Sequence, residues 1–311
     1  MPKLIAIIAG VGPGTGSAIA RRFAQAYPVV LLARSHQSLD PVAKEITDNG
    51  GSAISIPTDV TSASGMTSTM DQVKAHFGSD INIAAAVYNV ASKFMRKPFL
   101  EQSPEEFLGS LEPSVKGAFN FAQATLPLML NIKDVQCQYP PTLIFTGRSH
   151  PPHFSKYPAN DPLGATAALR GGSGLAGFAM SKFGIRAMSQ SLAREFGPKG
   201  VHVSHAIIDG IIDTEKTKGY SQDVPDSKID PNWVSVCIQN ESCLCVLTIL
   251  RLPSRTGSCT RSHGLLSLTS WTYDRTRKHG ETLRIDYNLT HVFNAISLTM
   301  GVPRFSQSGA I

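Results

Sequence analysis

A glycine-dense run, Ala9-Gly10-Val11-Gly12-Pro13-Gly14-Thr15-Gly16-Ser17, follows a short apolar stretch at the N-terminus and leads into a segment of helical period. Glycine lets a chain turn tightly and bring its backbone against a pyrophosphate. A helix that starts there offers free N–H groups and the positive end of its dipole. The chemistry this spacing suits is phosphate binding, with Gly10, Gly14, Thr15 and Gly16 as the contacts. A second apolar stretch ends in Ala33-Arg34-Ser35, with no carboxylate to grip the ribose hydroxyls of an adenosine. Arg34 presents instead a planar fork of donors suited to a 2′-phosphate, which favours NADP(H) over NAD(H). No metal site is expected. His150 and His153 stand in Pro-rich sequence without a second cluster, and Cys237, Cys243, Cys245 and Cys259 lack paired CxxC spacing, as does the isolated Cys137.

Positioning these residues falls to apolar runs that alternate with longer segments of helical period as far as about Ala206. That alternation is the signature of βα units around a parallel sheet. It predicts strands over Leu4–Ala9, Val29–Ala33, Ala53–Ile56, Ile83–Val87, Leu143–Thr146 and His202–Ile207. Helices are predicted over Gly14–Ala26, Leu39–Asn49, Met66–Phe77, Pro104–Leu111, Val115–Asn131 and Leu175–Phe196. Right-handed crossovers would set these helices on both faces of a doubly wound α/β sheet in a single domain with an irregular C-terminal tail.

Composition agrees with a globular enzyme: the 311 residues are 42% hydrophobic and 17% charged. The 29 basic and 23 acidic side chains are unevenly placed, because residues 234–311 hold eight of the former and four of the latter. The remainder is close to neutral and carries no basic run with interleaved aromatics, which argues against a nucleic-acid partner. The opening Lys3-Leu-Ile-Ala-Ile-Ile-Ala reads as a buried first strand rather than a signal peptide, and no apolar stretch reaches a membrane-spanning length of about 18 residues. A cytoplasmic protein acting on a small molecule is the expectation.

With Gly10-x-x-x-Gly14-x-Gly16, Asp59-Val60 after the third predicted strand, Val87-Tyr88-Asn89-Val90-Ala91 after the fourth, Phe178-x-x-x-Lys182 on a late helix and Asp209-Gly210-Ile211-Ile212-Asp213-Thr214 beyond the sixth strand, the chain resembles the short-chain dehydrogenase/reductase family over residues 3 to 230. The resemblance implies a Rossmann-like fold, a nicotinamide cofactor and hydride transfer between a carbonyl and an alcohol. It implies cofactor contacts at Asp59 and Val60 (adenine), Asn89, Ala91, Lys182 (ribose), and Ile212 and Thr214 (carboxamide). It also implies pairing of subunits into a homo-oligomer, a segment Ile212–Asp230 over the substrate pocket, and Phe94–Phe99 as the opposite wall.

The catalytic positions depart from the family pattern. In the family a Tyr moves the hydroxyl proton, a Ser steadies the substrate oxygen, Lys lowers the Tyr pKa and an Asn orders a water relay. The Tyr position here is Phe178, the Ser position falls on Ala165 beside Thr166, and the Asn position is Ser114; Lys182 is retained. Three readings follow: an oxidoreductase with weakened proton transfer through Lys182, Thr166 or water, a catalytically silent NADP(H)-binding protein, or an unrelated chemistry on the same fold.

Two segments interrupt the pattern. Residues 148–163 are Pro- and His-rich directly after a strand, and from Val234 onward Ser/Thr-rich sequence takes over. Val234-Ser235 can be encoded by GTGAGT, which begins many introns. A shifted frame across Trp271–Lys278 can yield Asp-Leu-Arg-Pro-Tyr-Thr-Glu, which resembles a closing segment in the family. Removal of residues 148–163 with one flanking codon keeps the frame and joins Gly147 to Ala165 by a short loop. Residues 1–233 are therefore expected to be the dinucleotide-binding domain, with 148–163 a retained intron and 234–311 an out-of-frame tail; a substrate lid is the alternative for the insertion.

Overall fold

The computed structural model describes residues 3–90, 94–132, 140–147, 165–209, 211–219, 228–240 and 246–250. The first half of the chain is regular: β1 (Lys3–Ala9), α1 (Thr15–Phe23), β2 (Val29–Ala33), α2 (His36–Asp48), β3 (Ala53–Pro57), α3 (Ala63–Phe77) and β4 (Ile81–Tyr88). There follow α4 (Pro104–Leu108), α5 (Gly117–Leu130), β5 (Thr142–Gly147), α6 (Ala176–Phe196), β6 (His202–Asp209), the short pair β7 (Ile211–Ile212) and β8 (Lys228–Ile229), α7 (Pro231–Asn240) and β9 (Val246–Leu250).

Seven strands form one parallel sheet in the order β3-β2-β1-β4-β5-β6-β9. The chain winds outward from β1 to β3, returns across the sheet to β4 beside β1, and winds outward again. The strand order therefore reverses between β1 and β4, which is where ligands sit in open sheets of this kind. Successive residues of β1 feed opposite faces. Ile5, Ile7 and Ala9 join a core with α3, α5 and α6, whereas Ala6 and Ile8 join a second core with α1, α2 and α7. All eight residues of β4 are buried, as expected for a strand covered on both faces.

Three departures from the sequence reading have local causes. Helix α2 begins three residues earlier than its apolar period, because its exposed first turn is held by His36 Nδ1 and Asp40 Oδ1 at 3.1 Å and needs no apolar side chain. The helix expected from Pro104 stops at Leu108, and the chain enters α5 through a π-turn, Glu112–Lys116, with Pro113 at its start. Regular structure also continues past residue 233. Val234 and Ile238, one helical turn apart, are buried in the core beside α1, and Arg22 Nε donates to Gln239 Oε1. Beyond them Val246-Leu-Thr-Ile-Leu pairs with β6 and covers that edge of the sheet. Residues 148–163 and 251–311 lie outside the described residues.

Candidate active site

The glycine turn joins β1 to α1 at the C-terminal edge of the sheet. Gly10 N and Val11 N donate to Leu32 O at 2.8 and 3.1 Å, which fixes the turn to β2. Gly10 has φ of 84° and its α-carbon faces the Asn89 carbonyl, while the α-carbon of Gly16 faces the Gly10 carbonyl. A Cβ at either position would overlap backbone, so the helix can sit this close to the turn only with glycine there. At Gly12 a side chain would meet nothing within 4 Å, and Thr15 Oγ1 is buried with no partner among the described residues. Open space over the turn, a buried hydroxyl and the N-terminus of α1 suit a dinucleotide pyrophosphate.

Asn89 links this turn to the middle of the sheet. It is 3% exposed; its Nδ2 donates to Gly10 O at 3.2 Å and its Oδ1 accepts from Thr146 Oγ1 at 2.8 Å. Three strand ends, those of β1, β4 and β5, are thereby held by one side chain. At the β2 and β3 ends, Arg34 is exposed and makes no ion pair among the described residues. Its charge reaches Asp59, whose carboxyl is held below its ordinary value first by the Thr61 backbone N–H and hydroxyl and then by Arg34 and Lys116. Val60 is buried, and its carbonyl accepts from Asn120 Nδ2 at 3.0 Å. Ala91 and Gly210 lie outside the described residues. Ile212 is buried; Thr217 Oγ1 donates to its carbonyl at 2.7 Å and accepts from Thr214 N at 2.9 Å. The two ends of the segment expected over the pocket are joined, Ile211 and Ile212 pairing with Lys228 and Ile229.

Helix α6 gathers the catalytic positions. Phe178 is 2% exposed and meets Phe94 edge to face, with ring centroids 5.1 Å apart at 74°. Ala167 and Ala179 complete this apolar cluster. Lys182, one turn along, is 1% exposed, with Nζ 5.4 Å from the Phe178 ring centroid, a cation–π arrangement. Thr166 lies in a 3₁₀ turn, Ala165–Ala168, that Arg186 fastens to α6 by donating from Nη1 to Ala168 O at 3.0 Å. Ser114 is buried in the π-turn, its Oγ without a partner among the described residues. The Tyr88 hydroxyl donates to the adjacent Pro113 carbonyl, and burial pushes its pKa up, so it stays a phenol. The wall is fastened as well: Lys97 N donates to Gly174 O at 2.9 Å and Lys97 Nζ pairs with Glu106 at 2.8 Å, which sets half-buried Phe94 against Phe178.

Several of these groups escaped the sequence reading. Asn120, Thr146, Arg186 and His205 each interrupt an apolar pattern, which is the signal that could have marked them. His205, on β6, is fully buried, and neither ring nitrogen has a partner among the described residues. Burial, aided by the charges of Lys182 and Arg186, lowers its pKa to about 3, so the ring is neutral.

A family model described as short chain dehydrogenase matches residues 4–137. A crystal structure of a short-chain dehydrogenase from Rhodopseudomonas palustris superposes with a TM-score of 0.60 at 26% identity, covering 80% of this chain and 98% of that one. Residues 4–137 belong to the short-chain dehydrogenase family. Named relatives of the chain are oxidoreductases. An uncharacterised oxidoreductase of Staphylococcus epidermidis is 26% identical over 217 residues, 69% of this chain and 80% of that protein. Glucose 1-dehydrogenase 2 of Bacillus subtilis is 29% identical over 222 residues, 68% of this chain and 72% of that protein. Among the described residues no helix is long and apolar enough to cross a membrane.

Proposed function

We propose that the protein is an NADP(H)-dependent oxidoreductase acting on a carbonyl/alcohol pair, with proton transfer weakened by Phe178. The observation that carries this reading is the glycine turn locked to Asn89, with an unpaired-by-carboxylate Arg34 at the neighbouring strand end. Gly10, Gly14, Thr15 and Gly16 would hold the pyrophosphate and Arg34 the 2′-phosphate. Asp59 and Val60 would face the adenine, and Asn89, Ala91, Lys182, Ile212 and Thr214 the ribose and nicotinamide end. When bound, the cofactor supplies or accepts hydride. The chain's own part is to orient it, to exclude water with the Phe94–Phe178 wall, and to place the Lys182 charge beside the reacting oxygen. Thr166 would bond that oxygen and Ser114 the water near it. A proton for the oxygen must come from solvent or Lys182, because Phe178 has none to give.

Phe178 also supports a second reading, a silent NADP(H)-binding protein, since it closes the usual route for the proton. Titration with NADPH, followed by a panel of aldehydes and ketones, separates the two. NADPH oxidation above the enzyme-free rate supports the oxidoreductase; binding without turnover of any acceptor supports the binder. We further assign residues 1–233 to the dinucleotide-binding domain, 148–163 to a retained intron and 234–311 to an out-of-frame tail whose described part, the end of α7 and β9, packs on that domain, in a cytoplasmic homo-oligomer with no nucleic-acid or membrane partner.

A further inference from the structure

The oxidoreductase reading leaves open which acceptor a site with Phe178 in place of a phenol reduces best, and the inference rests on that reading. Hydride addition to an isolated ketone yields an alkoxide, about as basic as hydroxide, whose parent water has a pKa of about 15.7. Such an acceptor needs its proton as the hydride arrives. Hydride addition to a quinone yields the anion of a phenol, whose pKa is about 10, and water can protonate that anion afterwards. The cluster of Phe94, Phe178, Ala167 and Ala179 carries no exchangeable proton, and the Phe178 ring is held by Phe94 on one side and by the Lys182 charge at 5.4 Å. That charge favours a nearby delocalised anion whether or not its proton is transferred. Phe94 is only half-buried, and its ring is the kind of aromatic surface against which a flat conjugated ring packs well.

We propose that the substrates are conjugated dicarbonyls of the quinone class rather than isolated ketones. The quinone gains a hydride, with its electron pair, at one oxygen, and the π electrons move to the opposite oxygen. That oxygen takes a proton from water, giving the hydroquinone. NADPH, having lost the hydride from its dihydronicotinamide carbon, leaves as NADP⁺.

The test compares 1,4-naphthoquinone with 1-tetralone, which share a bicyclic skeleton, using the full-length chain and NADPH with the enzyme-free rate subtracted. For the unmodified protein kcat/KM should be at least about 100-fold higher for the quinone, the lower end of what a missing general acid costs. Phe178→Tyr should raise the tetralone rate more than the quinone rate and narrow the ratio by about tenfold or more. Equal kcat/KM for the two acceptors in the unmodified protein overturns the inference and leaves the oxidoreductase reading standing. A folded Phe178→Tyr protein with an unchanged ratio also overturns it. If that variant does not fold, the wild-type ratio alone decides. Bound NADPH with no turnover of either acceptor overturns the oxidoreductase reading and the inference with it.

Discussion

Asn89→Ala would cut the tie between the glycine turn and the end of β5. Two hydrogen bonds disappear, Nδ2 to Gly10 O and Thr146 Oγ1 to Oδ1. Each contributes a net of about 1 kcal/mol. Gly10 is half-buried and the bond to its carbonyl is only partly buried, so the lost donor adds little there. Thr146 is fully buried and keeps only a longer contact to Tyr88 O at 3.4 Å, which adds roughly 1 kcal/mol for a poorly satisfied hydroxyl. The expected loss is about 2–3 kcal/mol, a factor of roughly 30 to 150 in the folded/unfolded ratio. Thr146→Val removes the shared bond and the longer contact to Tyr88 O, and should cost about 1 kcal/mol. Because both variants delete that bond, and the double variant also lacks the hydroxyl that Asn89→Ala leaves poorly satisfied, it should fall short of the sum by about 1–2 kcal/mol. Urea unfolding at pH 7 reads all four proteins, with the midpoint of Asn89→Ala falling by about 1 M at unchanged slope. A loss below about 0.5 kcal/mol, or strict additivity of the pair, would refute the argument that Asn89 is the fastener.

Arg34→Asp should reverse or erase a preference for NADPH over NADH, lowering NADPH affinity by about 10- to 100-fold as a charge-assisted contact becomes a repulsion; tighter NADH binding by the unmodified protein would sink the assignment. The neutral His205 sets a pH dependence: its folded pKa of about 3 lies below its ordinary value, so the unfolded chain binds more protons between the two and stability falls as pH drops below about 6.5. His205→Gln should flatten that acid limb by about 1.4 kcal/mol per pH unit, and urea midpoints with identical pH slopes in the two proteins would contradict it. Sequencing the mature message should show it lacking the codons for residues 148–163 and those immediately following the Val234 junction; a message carrying both stretches would end the intron account.

Hydrophobic period marked the sheet well because strands buried on both faces must be continuously apolar, and β2 falls on Val29–Ala33 as read from sequence. The same signal was blind where polar groups set the path. Nothing periodic announces that Pro113 will meet the Tyr88 hydroxyl and turn the chain through a π-turn at Ser114. The glycine turn was legible because its spacing is local. The partners of Asn89 were not, since Gly10 and Thr146 come from strands 79 and 57 residues away. Helix α7 was missed because two apolar residues, Val234 and Ile238, suffice to dock it, and its Ser/Thr surroundings hide so short a stripe.

The docking of α7 on α1 also fixes an order of events during synthesis. Arg22 and Gln239 are separated by 217 residues, so at about 5–20 residues per second the ribosome needs roughly 10–40 s to deliver the second after the first. Throughout that interval Ile19, Phe23 and their neighbours on α1 await one of the elements that cover them. The helix that opens the phosphate turn is thus among the first parts of the protein to emerge and among the last to be shielded. A nascent chain halted before residue 231 would carry this apolar flank uncovered, an inviting surface for a chaperone or for another copy of itself.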